Sequence, residues 1–260
     1  MTGMSNLDIN HRIIQDFLRL TKETYPFGSE KEVVDLMGIP LNKDPHGNYF
    51  FINGDDVTTM FTSHLDTVSI KTKVNHIIHQ DIIKTDGFSI LGADDKAGVA
   101  LMIYMILKNV KGIYYFFIGE ECGRIGSKLL AENFHKREEL RNINKVISFD
   151  RKGVDSIITH QLGVRCASDL FANALAKSLN NNESTFKYKT DPTGVYTDSY
   201  SFVELINECT NISVGYNYQH SNQEYQSISH LIKLGEALCK IDWENLPVKR
   251  KIKNRNKYVI

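Results

Sequence analysis

The strongest constraint on the fold is a set of short apolar runs that alternate with segments of helical period. Tyr114-Tyr115-Phe116-Phe117-Ile118 is apolar at every position. A strand of that kind has no face for water and must be covered on both sides. Residues 146–149 form a second buried-type run, and shorter β-rich runs occupy 49–52, 58–62, 76–83, 156–159 and 212–214. Between them, 96–110, 127–134, 167–179 and 223–241 repeat apolar residues at helical spacing. Two further helices are expected in the first forty residues, the second opened by a capping box of Ser29 and Glu32 and stopped by Pro40. Alternating β and α segments predict a three-layer α/β/α fold around a central, mostly parallel mixed sheet. No repeat or linker divides the chain, and the polar stretch 180–184 is too short to be a boundary. The expectation is a single domain over 1–246 with a tail over 247–260.

That tail carries Lys249, Arg250, Lys251, Lys253, Arg255 and Lys257 and no acid. Setting these six bases aside leaves 25 bases against 31 acids, a formal charge of −6 for the body. The tail reads as a solvated basic segment, since it lacks the interleaved aromatics of a nucleic-acid-binding stretch. The whole chain balances 31 bases with 31 acids, which argues against a surface built for nucleic acid or anionic lipid. With 42% apolar and 24% charged residues, wholesale disorder is excluded. No apolar run reaches the roughly 18 residues of a membrane span, and residues 1–10 do not have the pattern of a secretory signal. Cys122, Cys166, Cys209 and Cys239 contain no CxxC pair, so a reducing cytoplasm is the expected location.

In an open α/β sheet, functional residues gather beyond the carboxyl ends of the strands. Those positions here hold Ser63-His64-Leu65-Asp66, Leu91-Gly92-Ala93-Asp94-Asp95-Lys96, Gly119-Glu120-Glu121-Cys122, Asp150, and a loop with His220. Adjacent carboxylates such as Glu120-Glu121 repel unless a cation or a shared proton compensates. Two histidines with three or more carboxylates make a ligand set for a pair of zinc-type ions, too rich in oxygen and nitrogen for a thiolate site. Each piece alone has a plainer account: a surface turn, a solvated face, a helix cap. Their shared position at strand ends favours the metal site.

These residues resemble the dinuclear zinc exopeptidases, the superfamily of tripeptide aminopeptidases, bacterial leucyl aminopeptidases and glutamate-releasing carboxypeptidases. SHLDTV over 63–68 is similar to the first metal motif, LGADDKAG over 91–98 to the form in tripeptide aminopeptidases, and GEECGRIGS over 119–127 to the glutamate-pair motif. DPHGN over 44–48 matches an upstream turn, and Asp150 and His220 follow in the family's order and spacing. The resemblance implies that Asp94 bridges two divalent ions, zinc first and cobalt or manganese as alternatives. His64 and Asp150 would complete one site, Glu121 and His220 the other. Glu120 would be the general base acting on a metal-bridging water, with Asp66 orienting His64. The resemblance also implies a cis peptide between Asp94 and Asp95.

Two departures shape the expectation. Only 69 residues separate Asp150 from His220, too few for the lid domain of two-domain relatives, so a single domain without an inserted lid is expected. Arg151 directly follows a proposed ligand. It is either an ion-pair partner for the acidic site or, with Arg165 as the other candidate, a clamp for a substrate carboxylate. Thr197 and Asp198 in the stretch 193–202 are plausible substrate binders by the same resemblance, although Asp198 could equally cap a helix. His76 and His79 lie in a probable hairpin on opposite faces and are set aside. The expected function is an aminopeptidase acting on short peptides. The same ligand set would also serve an amidohydrolase or deacylase of non-peptide amides. A metal-stabilised binding protein, the third reading, would lack a ligand or the base, and none is missing here.

Overall fold

Ile13, Ile14, Phe17 and Leu20 form a buried stripe along α1 (Arg12–Leu20), the first helix of a computed structural model that describes residues 8–252. α2 (Glu30–Met37) follows and ends at Gly38, whose positive φ closes it. The expected capping box does not form: the Ser29 hydroxyl bonds back to the Pro26 carbonyl, and Glu32 pairs with Lys71. β1 (Asn42–Lys43), β2 (Tyr49–Asn53) and β3 (Thr59–His64) enter the main sheet, whereas β4 (His76–His79) and β5 (Ile82–Thr85) form a hairpin outside it. α3 (Ala93–Leu107) is buried almost throughout, and β6 (Gly112–Phe117) and α4 (Ile125–Glu132) come next.

β7 (Lys145–Arg151) and β8 (Ser156–Ile158) continue the main sheet, and β9 (His160–Gln161) pairs with β10 (Val164–Arg165) in a small ribbon. α5 (Asp169–Asn182), β11 (Lys189–Asp191), a 3-10 turn over Asp198–Phe202 and β12 (Glu208–Ser213) follow. β13 (Tyr216–Asn217), β14 (Tyr225–Ser227) and α6 (Ile228–Leu238) complete the order.

The main sheet runs β1-β2-β6-β3-β7-β12-β8-β11, and its centre, β6, β3, β7 and β12, is parallel. Side chains alternate across it as the strand period requires. Tyr114 and Phe116 face one apolar cluster with residues of α1, α3, α5 and α6, while Ile113, Tyr115 and Phe117 face a second with Leu130 and Phe202. This is a three-layer α/β/α single domain. The elements between Asp150 and His220 are strands of the main sheet, its ribbon, the covering helices and β13, which joins β14, β5 and β4 in a small second sheet, so no inserted lid domain is present.

Most boundaries shift by one to three residues from the sequence expectation, and two starts shift further. β12 begins at Glu208, because its polar residues are buried and satisfied within the sheet. The last helix begins at Ile228, because residues 225–227 pair with β5 and β13. Glu208 also accepts the main-chain amides of Lys249 and Arg250 at 2.7 and 2.9 Å, which fixes the start of the basic stretch to the sheet. Lys253, Arg255 and Lys257 lie outside the described residues.

α3 can lie against β7 only because residue 98 has no side chain. A Cβ there would stand 2.4 Å from the Phe149 carbonyl oxygen and 2.7 Å from the Asp95 carboxylate, and both neighbours are fixed. Gly98→Ala is expected to lower stability in urea unfolding by about 1–3 kcal/mol, the usual cost of overpacking.

Candidate functional site

The parallel strands β3, β6 and β7 end on the same side of the sheet, and the chemistry-bearing residues follow those ends. His64 closes β3 and is buried. Its Nδ1 donates to the main-chain carbonyl of Asp66 at 3.0 Å, which leaves Nε2 to face the acids. Nε2 stands 3.0 Å from one oxygen of Asp94 and 3.8 Å from Asp150. The other Asp94 oxygen is 3.3 Å from Nε2 of His220, which also lies 2.8 Å from Glu121. Asp94 therefore offers one oxygen to each histidine. The peptide bond joining it to Asp95 is cis.

The Asp66 carboxylate stands 3.6 Å from the His64 ring, and its main hydrogen bonds go elsewhere. It accepts the amides of Glu120 and Glu121 at 3.0 and 3.1 Å, so Asp66 ties the glutamate pair to β3. Asp150 accepts the hydroxyls of Tyr216 (2.9 Å) and Thr197 (2.5 Å), and Asn211 on β12 clasps its main chain on both sides. Upstream, Asn48 of the turn over 44–48 donates to the Gly126 carbonyl, anchoring the start of α4 and the glutamate loop before it.

Within this cluster, one ligand atom each from His64, Asp94 and Glu121 lie within 4.8 Å of one another, as do those of His64, Asp95 and Asp150. Imidazole and carboxylate donors at such spacing suit zinc-type ions. Burial, reinforced by the charges of Asp150, Asp198 and Asp94, pushes Glu120 up to about 9. Burial beside Asp94 likewise raises Asp150 to about 6. Burial would raise Asp94 too, but hydrogen bonds from His220 and His64 hold it well below the usual carboxylate range. Hydrogen bonds to Asp94 and Glu121 raise His220 to about 10. Buried Lys96, whose ammonium donates to the Leu65 carbonyl at 2.6 Å, supplies an internal positive charge. Protons and imidazolium charge thus balance the acids here, a role that a bound divalent cation would take over.

Glu120, Glu121, Asp94, Asp150 and His220 line an open pocket of about 280 Å³, together with Arg151, Lys152, Val195 and Tyr196. This is small for a ligand site, with room for one or two amino-acid residues rather than a folded chain. Arg151 reaches Asp191 at 3.4 Å, and its Nε is buried without a partner. Arg165 is not brought here: it sits on the β9–β10 ribbon, exposed and paired with Asp169 at 2.9 Å. Thr197 and Asp198 lie beside the cluster but are only 1% exposed and outside the pocket lining. The Thr197 hydroxyl is committed to Asp150. No hydrogen bond of normal geometry reaches the Asp198 oxygens, and burial pushes that acid up to about 7.

Sequence reasoning missed Tyr216, Lys152, Arg124 and Glu224. Tyr216 and Glu224 flank the His220 loop and carried no motif of their own. Arg124 stands among the glutamate-motif residues, and its guanidinium lies between the rings of Tyr196 and Tyr200, 4.8 and 5.0 Å from their centroids. It connects the glutamate loop to the pocket wall.

Residues 51–233 match the model of peptidase family M28. A stretch of the chain is 46% identical over 80 residues to the uncharacterized protein YqjE of Bacillus subtilis (strain 168), covering 28% of this chain and 22% of that protein. Among solved structures, the fold is similar to a tripeptidase from Staphylococcus aureus subsp. aureus mu50, with a TM-score of 0.71 and 17% identity over 91% of this chain and 98% of that one. It is also similar to aminopeptidase PepT from Bacillus cereus ATCC 10987, with a TM-score of 0.69 and 18% identity over 91% and 98% of the two chains. Among the described residues, no helix is long and apolar enough to cross a membrane.

Arg124→Met keeps length but loses both ring contacts, each worth about 0.5–1 kcal/mol at a partly exposed site. Hydrogen exchange over residues 193–197 is expected to quicken several-fold in this variant, with α3 unaffected. Unchanged exchange would show that the wall stands without the sandwich.

Proposed function

The chain belongs to peptidase family M28; on that footing we propose that it is a peptidase, and specifically a metal-dependent aminopeptidase of short peptides. The observation that carries this reading is Asp94, which presents one oxygen to His64 and the other to His220, while Asp150 stands 3.8 Å from the same His64 nitrogen and Glu121 2.8 Å from the same His220 nitrogen. In this reading Asp94 is shared by two divalent ions, His64 and Asp150 hold one, and Glu121 and His220 hold the other. Zinc fits the mixed imidazole and carboxylate donors best, with cobalt or manganese as substitutes. Such a pair, when bound, polarises a substrate carbonyl and brings the pKa of water toward neutrality.

The remaining roles fall to the chain's own residues. Glu120 lines the pocket and is buried to 8% exposure. Its main chain is held by Asp66, so the side chain is placed while its oxygens remain available. Burial raises its affinity for a proton, so that as the carboxylate it would take one from the attacking water and as the acid it would deliver that proton to the leaving amine. Tyr216, Thr197 and Asn211 keep Asp150 from turning. Val195 and Tyr196 offer a shallow apolar wall, and Arg151 with Lys152 supplies positive charge for a nearby substrate carboxylate. A short peptide with a free C-terminus matches that lining better than a long chain.

Two experiments test this reading. Glu120→Gln is expected to keep both ions by elemental analysis and to lose about 100- to 10,000-fold in kcat. Glu121→Gln should instead lose occupancy of one ion. Equal metal loss in the two variants would overturn the assignment of Glu120 as base. A panel of amino-acid anilides, di- and tripeptides and N-acyl amino acids separates peptidase from deacylase activity. On that panel, free peptides should be cleaved in preference to amidated ones. Arg151→Ala should erase the preference, about 1.5–3 kcal/mol for a charge-assisted contact, while sparing a neutral anilide. Equal cleavage of free and amidated peptides by the parent would make Arg151 structural.

A further inference from the structure

Glu224 is fully buried, yet no lysine or arginine pairs with it among the described residues. Its carboxylate is satisfied by main chain alone. One oxygen accepts the amides of Leu91 and Gly92 at 2.9 and 2.8 Å, and the other accepts the amide of Asp94 at 3.0 Å. These are the amides at the open start of α3, where Gly92 has no side chain with which to cap the helix. Glu224 supplies that cap from 130 or more residues away. Its own amide is bonded to the Ser221 carbonyl at 3.2 Å, so it is folded into the turn that carries His220. On its other side, β14 fastens the same segment to β5. One side chain thus fastens the turn of Asp94 to the loop of His220.

We propose that Glu224 is a positioning residue that fixes Asp94 relative to His220, so that the two face a shared cation already in register. The inference rests on the reading of Asp94 and His220 as metal ligands. Reach as well as charge matters. Glutamine would present an amide nitrogen to main-chain N–H groups that need an acceptor. Aspartate keeps the charge but ends one methylene short of them. A residue that acts through others in this way typically changes metal affinity about 10–100-fold when replaced.

The test uses the full chain, freed of metal by chelation and titrated with zinc alone. In the parent, two zinc ions should bind, and the amides of Leu91, Gly92 and Asp94 should be protected from hydrogen exchange before any zinc is added. In both Glu224→Gln and Glu224→Asp, protection should be lost over 91–94 but kept along 99–106. One of the two zinc ions should bind about 10–100-fold more weakly, the other nearly as in the parent. Excess zinc should then restore kcat. Parent-like zinc affinities in either variant would overturn the proposal. So would equal weakening of both ions with protection lost throughout α3, the mark of a residue that merely supports the fold. A parent that binds no zinc would instead defeat the metal reading itself, which separates the two failures.

Discussion

Repulsion among carboxylates at one end of the sheet is the constraint that the surrounding structure answers. Asp94, Asp95, Glu120 and Asp150 share one buried neighbourhood with Asp66 and Asp198. Two like charges 4 Å apart cost about 4 kcal/mol even at an effective dielectric of 20. The chain meets this with several devices at once. His64 and His220 stand between the acids, which favour their protonated form, and Lys96 is held nearby at the Leu65 carbonyl. Asp66 and Glu224 are absorbed by main-chain amides, and Asp150 by two hydroxyls. In the proposed reading, a bound cation would take over the part of this compensation that protons and histidines supply. On that reading, gathering the acids would cost stability without the ion, and binding would return it by mass action.

Much of this was legible in the sequence because strand ends are legible. The apolar run of β6 announces a covered strand, and the residues just after it are Glu120 and Glu121. His64, Asp94, Asp150 and His220 were found by the same rule, and the structure brings all of them together. The rest was hidden for physical reasons. Glu208, Thr210 and Asn211 look like loop residues, yet they are buried in β12, where the hydrogen bonds that satisfy them come from distant segments. β14 is three residues long and merges with the period of α6. Arg151 and Arg165 are equivalent in sequence; only tertiary placement sends one to the pocket and the other to Asp169. Glu224 carries no local pattern at all, because its partners lie far back in the chain.

The pocket wall has a different origin from its floor. The floor is made of strand ends, rigid because the sheet is rigid. The wall is a loop, over 193–197, held by a guanidinium between two rings. Since Arg124 comes from the segment that also presents Glu121, a change that moves one moves the other. The pocket wall and the glutamate loop are therefore mechanically joined through Arg124, so in the proposed reading substitutions in one would not be independent of those in the other.

The sheet order carries a consequence for the birth of the site. β3 lies between β6 and β7, and β12 must dock beyond β7 before the His220 turn can close over Asp94. An N-terminal half of the chain already contains His64, Asp94 and Glu121 but neither Asp150 nor His220. That half alone lacks Asp150, His220 and the Glu224 cap, so the cluster is complete only with the late strands in place. Pairings this remote in sequence make for slow folding. The cluster is thus built from both halves of the chain, with the last of its charge-balancing groups, His220, supplied from beyond the final long strand of the main sheet.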